Sequence, residues 1–494
     1  MTIARSIILY FAFCLAIFSR AEVRDARIHG RALQYSGYHI ELFAYKDYIT
    51  QEKEVIGMLD VDDNGLFDTK VQLPAGDVTY AFMDLGKYRA YIYLEPGEEY
   101  RIVLPPFKRK PDSERFNPYY RQELIEVGID QERTKLNSAI YRFEGWWQKI
   151  YGENIVKIVR KSDKKLADRL IAQCDSVAKS TRCAVDFFKD YVYYRKAQIY
   201  TSPRMGDVRR TLNKYYSGHR IAYNVAPYWQ TLQMMCPNFI SSMTIYTSEK
   251  ELVHKFLKED AISFQSLSNV LKRDSAYMMQ GLRESLLLMG VYDGYYSQEL
   301  SEVVVDSMLM SAIKGETTAG TKRVAMNILE KKNHLRKDTP ATDFTLLDMK
   351  GREVSLKDFS GKWVYLGFFH SESYASVKDM ATLDAMVAKY KKDFFIVGVL
   401  TDENSDRVTK RFAEKKQQWL PLSSVIQQSI LLDYRIAALP SYVLIDPEGR
   451  ISVAEAPGPT ERIEQVIATE MQRYKSNYYR KNKQKEKSIY EIAK

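Results

Sequence analysis

Hydrophobic and polar residues alternate along the first part of the chain, from about residue 23 to 105. The clearest alternating segments are His39–Tyr45, Val78–Phe82 and Ala90–Leu94. Period-two alternation is typical of strands with one buried face, and Gly-, Pro- and Asn-containing turns separate the segments. Short strands at this spacing predict a small antiparallel β-sandwich over residues 22–106.

Between residues 107 and 335 the hydrophobic period becomes helical. Two stripes of apolar residues at steps of three or four illustrate it: Phe187, Tyr191 and Tyr194, and Met278, Leu282, Leu286 and Met289. Such stripes form the seams between packed helices, or they line a ligand groove. The pattern predicts an all-α domain, whose role the sequence does not assign.

Strands and helices alternate again after a polar, basic linker at 331–342. The order βαβ followed by ββα predicts an open sheet covered by helices over residues 336–475. The predicted fold class is therefore multidomain α+β, with a β-sandwich, an all-α domain and a C-terminal α/β domain.

The N-terminus has the pattern of a sorting signal. Arg5 precedes an apolar run at 7–18, and Ser19 and Ala21 place small residues at positions −3 and −1 of a cleavage site. The run holds about a dozen residues, fewer than the roughly 20 that span a bilayer. We expect a signal peptide at 1–21, a mature chain that begins near Glu22 without a transmembrane segment, and a periplasmic or secreted location.

The net charge of +10 is concentrated near the C-terminus. From Arg473 to Lys494 there are eight Lys or Arg and two Glu, which gives +6, and two further arginines belong to the leader. The body is therefore nearly neutral, unlike a nucleic-acid-binding protein. Residues 476–494 are interpreted as a basic tail that is solvated or that touches anionic surfaces.

The chain has four cysteines, and cleavage of the leader would remove Cys14. The mature protein would keep Cys174, Cys183 and Cys236. An oxidising envelope permits one disulfide. A Cys174–Cys183 bridge needs a turn between the two residues, because one continuous helix would hold them roughly 13 Å apart. Residues 179–182 offer such a turn. The alternative is three buried, unpaired thiols.

Asp60, Asp62, Asn64 and Gly65 reproduce the first half of a calcium-binding loop. The twelfth position is Val71, where that loop requires a bidentate Glu, so the segment is better explained as a hairpin turn. None of the six histidines forms a metal-spaced cluster with another. We expect no cofactor and no metal.

Five segments of the C-terminal domain carry a resemblance to a known family: 341–344, 348–356, Gly361–Phe369, Phe394–Leu400, and Tyr434 followed by Leu439–Ile451. In this order they resemble the thioredoxin-like disulfide reductases of bacterial envelopes and the related AhpC/TSA peroxide reductases. The resemblance covers a little over a quarter of the chain. It implies a thioredoxin fold, with Pro440 as the cis-proline that faces the active site.

The family's chemistry depends on Cys-x-x-Cys at the start of the helix that follows the central strand. Aligning Phe368 and Phe369 with the aromatic pair before that motif puts Ser373 and Ser376 on the two cysteine positions. Disulfide exchange needs a thiolate, which a serine hydroxyl cannot replace. Gly367 stands where many thioredoxins keep a buried acid. The resemblance therefore predicts a redox-silent, vestigial site with no catalytic residue.

Other roles for the serines and for Pro440 remain open. Ser376 and Asp379 have the spacing of a capping box, so the serines can satisfy backbone donors at the helix start. His370 near Ser373 suggests a hydrolase, but no nucleophile elbow or third orienting group accompanies it. Pro440 serves the fold, or it belongs to a retained groove that binds extended polypeptide.

The leading hypothesis is an exported, redox-inactive module that binds or scaffolds an extended polypeptide or another envelope protein. The alternative is a thiol-disulfide oxidoreductase in envelope redox homeostasis that uses Cys174 and Cys183 or a partner's dithiol. A third hypothesis is a ligand-binding protein that works through its helical layer.

Overall fold

The structure is a computed structural model that describes residues 23–111, 114, 120–161, 163–200, 208–243, 251, 263–390, 394–402, 418–436 and 438–492. The predicted signal peptide and Cys14 lie outside these residues.

The N-terminal part contains two β-sheets. Their strands are β1 (Val23–Arg31), β2 (His39–Tyr45), β3 (Lys53–Asp60), β4 (Leu66–Pro74), β5 (Thr79–Leu85), β6 (Tyr88–Leu94), β7 (Glu99–Val103), β8 (Glu123–Glu126) and β9 (Gly128–Gln131). One sheet has the order β4-β1-β7-β9 and the other β3-β2-β5-β6-β8. Ile28 and Val71 from the first sheet share one hydrophobic core with Leu42 and Ile92 from the second.

This part differs from its prediction in extent and in strand direction. β8 and β9 complete the two sheets, so the β-structure ends at residue 131 and not at 106. β1 pairs with β7 in parallel, and so does β6 with β8, so the sheets are mixed and not purely antiparallel. β8 and β9 have only four residues each and a polar composition. They form strands because they pair with strands that are distant in sequence, and local alternation does not encode such pairing.

The turn at Asn64-Gly65 links the two sheets. Asp62 Oδ1 accepts the N–H groups of Asn64 (2.9 Å) and Leu66 (2.7 Å), and Gly65 has a φ of +75°. A Cβ at Gly65 would lie 2.7 Å from the Leu33 backbone, so only glycine fits. The turn was predicted, but it joins strands of different sheets and not two strands of one hairpin.

The described residues between 136 and 333 are mostly helical. They are α1 (Leu136–Lys161), α2 (Lys164–Thr181), α3 (Asp186–Ile199), α4 (Val208–Tyr215), α5 (Ala226–Met235), α6 (Phe264–Leu271), α7 (Gln280–Tyr296), α8 (Glu302–Lys314) and α9 (Ala319–Asn333). The stripe on α3 and most of the stripe on α7 are buried in their common core. Met278 is exposed because it precedes the first turn of α7.

The helical layer packs on the outer face of the five-stranded sheet. The ring of Tyr93 on β6 contacts those of Phe187 and Tyr191 on α3. Asn137 on α1 donates to the Tyr93 carbonyl (2.8 Å) and accepts its N–H (2.7 Å). These buried hydrogen bonds fix the start of α1 against β6.

The C-terminal domain is an α/β unit. Its elements are β10 (Thr345–Asp348), β11 (Glu353–Ser355), β12 (Trp363–Phe369), α10 (Tyr374–Tyr390), β13 (Phe394–Leu400), β14 (Leu420–Ser423), α11 (Ile430–Asp433), β15 (Ser441–Ile445), β16 (Ile451–Val453) and α12 (Ile463–Ile492). The sheet order is β11-β10-β14-β13-β12-β15-β16, with β12, β13 and β14 parallel. Alternate residues of β12 enter cores on the two faces of the sheet.

Two segments that border this domain are helical, although the first was predicted to be a linker. Lys331 and Lys332 belong to the last turn of α9 and not to a linker, since Lys331 Nζ donates to the Thr50 carbonyl and Lys332 pairs with Glu302. The basic segment after residue 475 is the continuation of α12. Among the described helices, none combines the length and the apolarity that a bilayer crossing requires.

A buried carboxylate joins the β-structure to the C-terminal domain. Glu41 on β2 accepts the N–H (2.8 Å) and the hydroxyl (2.7 Å) of Ser429, just before α11. Burial raises the pKa of Glu41 from 4.5 to about 7 despite these hydrogen bonds. Burial also raises the pKa of the nearby carboxyl of Asp433, to about 6.

This contact predicts a stability that depends on pH. Between pH 4.5 and about 7 folded Glu41 stays protonated while the unfolded chain has released the proton, so stability falls as pH rises through that window. A pKa shift of this size corresponds to about 3 kcal/mol of stability. We expect Glu41→Gln to lose less stability than the wild type between pH 5 and pH 8 in urea unfolding. Equal losses in both proteins would contradict the prediction.

Candidate functional site

The candidate site lies where β12 ends and α10 begins. Every residue of β12 is buried, and the chain then turns through residues 370–373. The N–H of Ser373 donates to the His370 carbonyl (3.0 Å), which closes the turn. Because α10 starts at Tyr374, Ser373 and Ser376 occupy the start of the helix, where the resemblance places them.

Both hydroxyls take part in the helix start. Ser373 Oγ accepts the N–H of Ser376 (3.4 Å), and Ser376 Oγ accepts the N–H of His370 (3.2 Å). Ser376 is fully buried. The residue that caps α10 is therefore Ser373, and the predicted Ser376–Asp379 capping box was wrong. Asp379 instead accepts the hydroxyl of Tyr442 on β15 (2.6 Å).

A buried carboxylate that was not predicted holds this turn. Asp402, two residues after β13, accepts the N–H (3.0 Å) and the hydroxyl (2.5 Å) of Ser371. Its Oδ1 lies 3.5 Å from Nδ1 of His370, which accepts the N–H of Glu372 (3.2 Å). The sequence did contain a signal for this contact. Asp402 follows a strand that is parallel to β12, and the carboxyl ends of parallel strands meet at one edge of a sheet.

This arrangement does not favour the hydrolase hypothesis. In a catalytic triad the histidine lies between the serine and the carboxylate. Here Asp402 binds Ser371 directly, and the hydroxyl of Ser373 accepts a backbone N–H within α10. The network fixes the turn before α10.

Pro440 lies at the same edge of the sheet. The Leu439–Pro440 peptide bond is cis, as the resemblance implies. Phe368 on β12 is paired with Ser441 on β15, so Pro440 lies beside the end of β12 and the turn that follows. Ser373, Ser376 and Pro440 therefore lie at the same edge of the sheet.

Gly367 leaves no room for the acid that many thioredoxins carry. A Cβ at this position would lie 2.7 Å from the ring of Phe369 and 3.0 Å from that of Tyr442. The two rings occupy the space that a carboxylate would need. An open hollow of about 280 Å³ lies at the opposite end of β12, beside Lys362 and Val364, and is not part of this site.

The three described cysteines lie in or against the core of the helical domain, and all are free thiols. Helix α2 continues through Thr181, so the predicted turn at 179–182 is mostly helical, and Arg182 ends the helix with a φ of +56°. Burial raises the pKa of Cys174 and of Cys236 to about 12, and it also raises that of Cys183. Thiols held protonated are poor nucleophiles, which does not favour an oxidoreductase that uses Cys174 and Cys183.

Comparison with known proteins agrees with this geometry. The profile of the AhpC/TSA family matches residues 338–454. The thiol-disulfide oxidoreductase ResA of Geobacillus thermodenitrificans is 30% identical over 126 residues, which are 25% of this chain and 72% of that protein. The chain belongs to the AhpC/TSA family.

Two further relatives of the AhpC/TSA domain carry the same activity in their names. ResA of Bacillus thuringiensis subsp. konkukian is 28% identical over 122 residues, 25% of this chain and 69% of that protein. The crystal structure of the thioredoxin domain of a thiol-disulfide oxidoreductase from Bacteroides vulgatus is 30% identical, covers 27% of this chain and 97% of that domain, and superposes with a TM-score of 0.25.

The AhpC/TSA domain of this chain contains no cysteine, since the last cysteine of the sequence is Cys236. It has a strand, a helix start and a cis-proline where the resemblance places the family's site. At the two positions predicted for sulfur, it carries hydroxyl groups that are bound within the protein.

Proposed function

We propose that the AhpC/TSA domain is a redox-inactive module that binds extended polypeptide and acts as a scaffold in the cell envelope. The observation that carries this proposal is the hydrogen bonding of Ser373 and Ser376 at the start of α10, in a domain without cysteine. Thiol-disulfide exchange proceeds through a thiolate that attacks sulfur, and neither hydroxyl supplies one.

The surface beside the serines supports polypeptide binding. Tyr374, in the first turn of α10, is 85% exposed, and Pro440 lies at the same edge of the sheet. An exposed tyrosine offers a large apolar ring at a low cost in conformational entropy, which makes it a frequent anchor in interfaces. Extended peptides bind sheet proteins through main-chain hydrogen bonds with side-chain anchors alongside.

The proposed envelope location rests on the sequence of the leader. Its basic residue, apolar run and small residues around position 21 follow the pattern of a cleaved secretory signal. N-terminal sequencing of the protein recovered from the periplasm tests this part, and a chain that still begins at residue 1 would contradict it.

Redox inactivity is tested by insulin reduction and peroxide consumption. We expect the purified protein to give rates equal to the buffer background in both assays, because no thiolate stands at the helix start. Ser373→Ala is the matched variant. Turnover that Ser373→Ala abolishes would show that the hydroxyl is catalytic and would refute the proposal.

Polypeptide binding is tested with reduced, carboxymethylated lactalbumin, a permanently unfolded chain without free thiols. We expect Tyr374→Ser to weaken the binding of lactalbumin by about ten-fold in fluorescence anisotropy. A tyrosine that becomes buried in the complex contributes more than ~1 kcal/mol to binding. Tyr479→Ser, at a tyrosine that is 72% exposed on α12, is the control and should bind like the wild type. Equal binding by all three proteins would exclude a site at the helix start.

A further inference from the structure

Helix α12 begins on the C-terminal domain and continues to Ile492. Ile463 and Ile467 lie in the core of the C-terminal domain. The ring of Tyr474 packs edge-on against Trp363 on β12, with centroids 5.6 Å apart, and Glu470 pairs with Lys337. These contacts fix the first three turns of the helix.

Beyond Tyr474 most of the described side chains, which extend to Arg480, are exposed. Lys475, Tyr478, Tyr479 and Arg480 are all exposed, and the helix runs on to Ile492. The eighteen residues from 475 to 492 correspond to about 27 Å of helix at a rise of ~1.5 Å per residue.

This segment is strongly basic. From Lys475 to Lys494 the sequence holds seven Lys or Arg and two Glu, a net charge of +5 out of +10 for the whole chain. Cations concentrated on one projecting element attract an anionic surface, and each Lys or Arg that comes near the surface adds to the attraction.

Aromatic and aliphatic residues accompany the cations. Tyr478 is 51% exposed, and its ring stacks on that of Tyr474. The sequence adds Ile489, Tyr490 and Ile492. Tyrosine rings are favoured at the headgroup level of a bilayer, and aliphatic groups gain free energy in its acyl boundary. A phosphodiester backbone offers aliphatic groups no such gain, so the composition favours lipid over nucleic acid.

We infer that α12 beyond Lys475 is a docking surface for an anionic lipid bilayer. The net positive charge of this segment is attracted to the lipid phosphates, and the exposed rings of Tyr478 and Tyr479 lie at the level of the headgroups. It thereby tethers the AhpC/TSA domain, through Tyr474 and Trp363, to the membrane surface. This inference does not depend on the proposed function.

Sedimentation of the full chain with lipid vesicles tests the inference. We expect binding to vesicles that are half phosphatidylglycerol at about 0.1 M NaCl, where the Debye length is ~10 Å, and loss of binding at about 1 M. Pure phosphatidylcholine vesicles should bind weakly. A variant with Lys481, Lys483, Lys485 and Lys487 all changed to Gln should bind on the order of 100-fold more weakly.

Two further variants separate the helix from overall charge. The first is a control that changes four exposed lysines elsewhere to Gln: Lys70, Lys164, Lys165 and Lys350. It removes the same charge and should leave vesicle binding nearly unchanged. Tyr478→Ser with Tyr479→Ser should weaken binding about ten-fold by removing the interfacial rings. Equal losses in both lysine variants would overturn the inference. A DNA oligonucleotide that binds more tightly than the vesicles, with no effect of the tyrosine changes, would also overturn it.

Discussion

A chain in which Ser373 and Ser376 are both changed to cysteine is expected to catalyse the reduction of insulin by dithiothreitol at a rate at least about ten-fold above the wild-type background. Thiols at the N-terminus of a helix, in Cys-x-x-Cys spacing, have pKa values lowered to roughly 3.5–7.5. The start of α10 at Tyr374 gives residues 373 and 376 this placement. Residues three apart on a helix also meet the roughly 4.4–6.8 Å Cα separation of a disulfide.

The two positions should differ in reactivity in this double variant. Residue 373 is partly exposed and residue 376 is fully buried. We therefore expect the thiol at 373 to attack substrate and the thiol at 376 to resolve the mixed disulfide. The rate should stay below that of reductases with a buried acid, because Gly367 has no room for one.

Single variants and thiol counting complete this test. Ser373→Cys alone should form a mixed disulfide without turnover, and Ser376→Cys alone should resemble the wild type. In the double variant, mass spectrometry should find a disulfide between the two introduced thiols that reductant opens. Absence of this bridge under oxidising conditions would show that the helix start does not have the geometry described above.

The second large effect is expected from Asp402→Ala. Its carboxylate accepts both donors of Ser371, which is itself buried, so the change leaves two buried polar groups without their acceptor. Each such group costs about 1–3 kcal/mol, so we expect a loss of about 2–6 kcal/mol in the free energy of unfolding. Chemical denaturation, followed by near-ultraviolet circular dichroism, measures this loss.

Asp402→Asn is the matched control because it keeps one acceptor oxygen at the same place. It should cost about half as much as the alanine change. Removing the Ser371 hydroxyl first, with Ser371→Ala, should make the later Asp402→Ala change less costly, since one of the two donors is then gone. Full additivity of the two changes would show that Asp402 does not act through Ser371.

The amino-acid pattern predicted the alternation of strands and helices in the C-terminal domain, which depends on local signals such as the fully apolar strand at Trp363–Phe369. The family resemblance predicted the helix start at the serines and the cis-proline at Pro440. The pattern did not predict β8 and β9, since their pairing with β6 and β7 depends on strands more than 20 residues away. It did not predict the contact of Asp402 with Ser371 either, which spans 31 residues.

The sequence by itself determined that the AhpC/TSA domain contains no sulfur nucleophile, because no cysteine follows Cys236. The tertiary structure decided which groups bind the two serine hydroxyls, and that Cys174 and Cys236 are buried in the helical domain with raised pKa values. It also decided that Glu41 meets Ser429 across 388 residues. The physical reason is that composition and local periodicity are properties of neighbouring residues. Desolvation and long-range hydrogen bonding arise only when distant segments pack together.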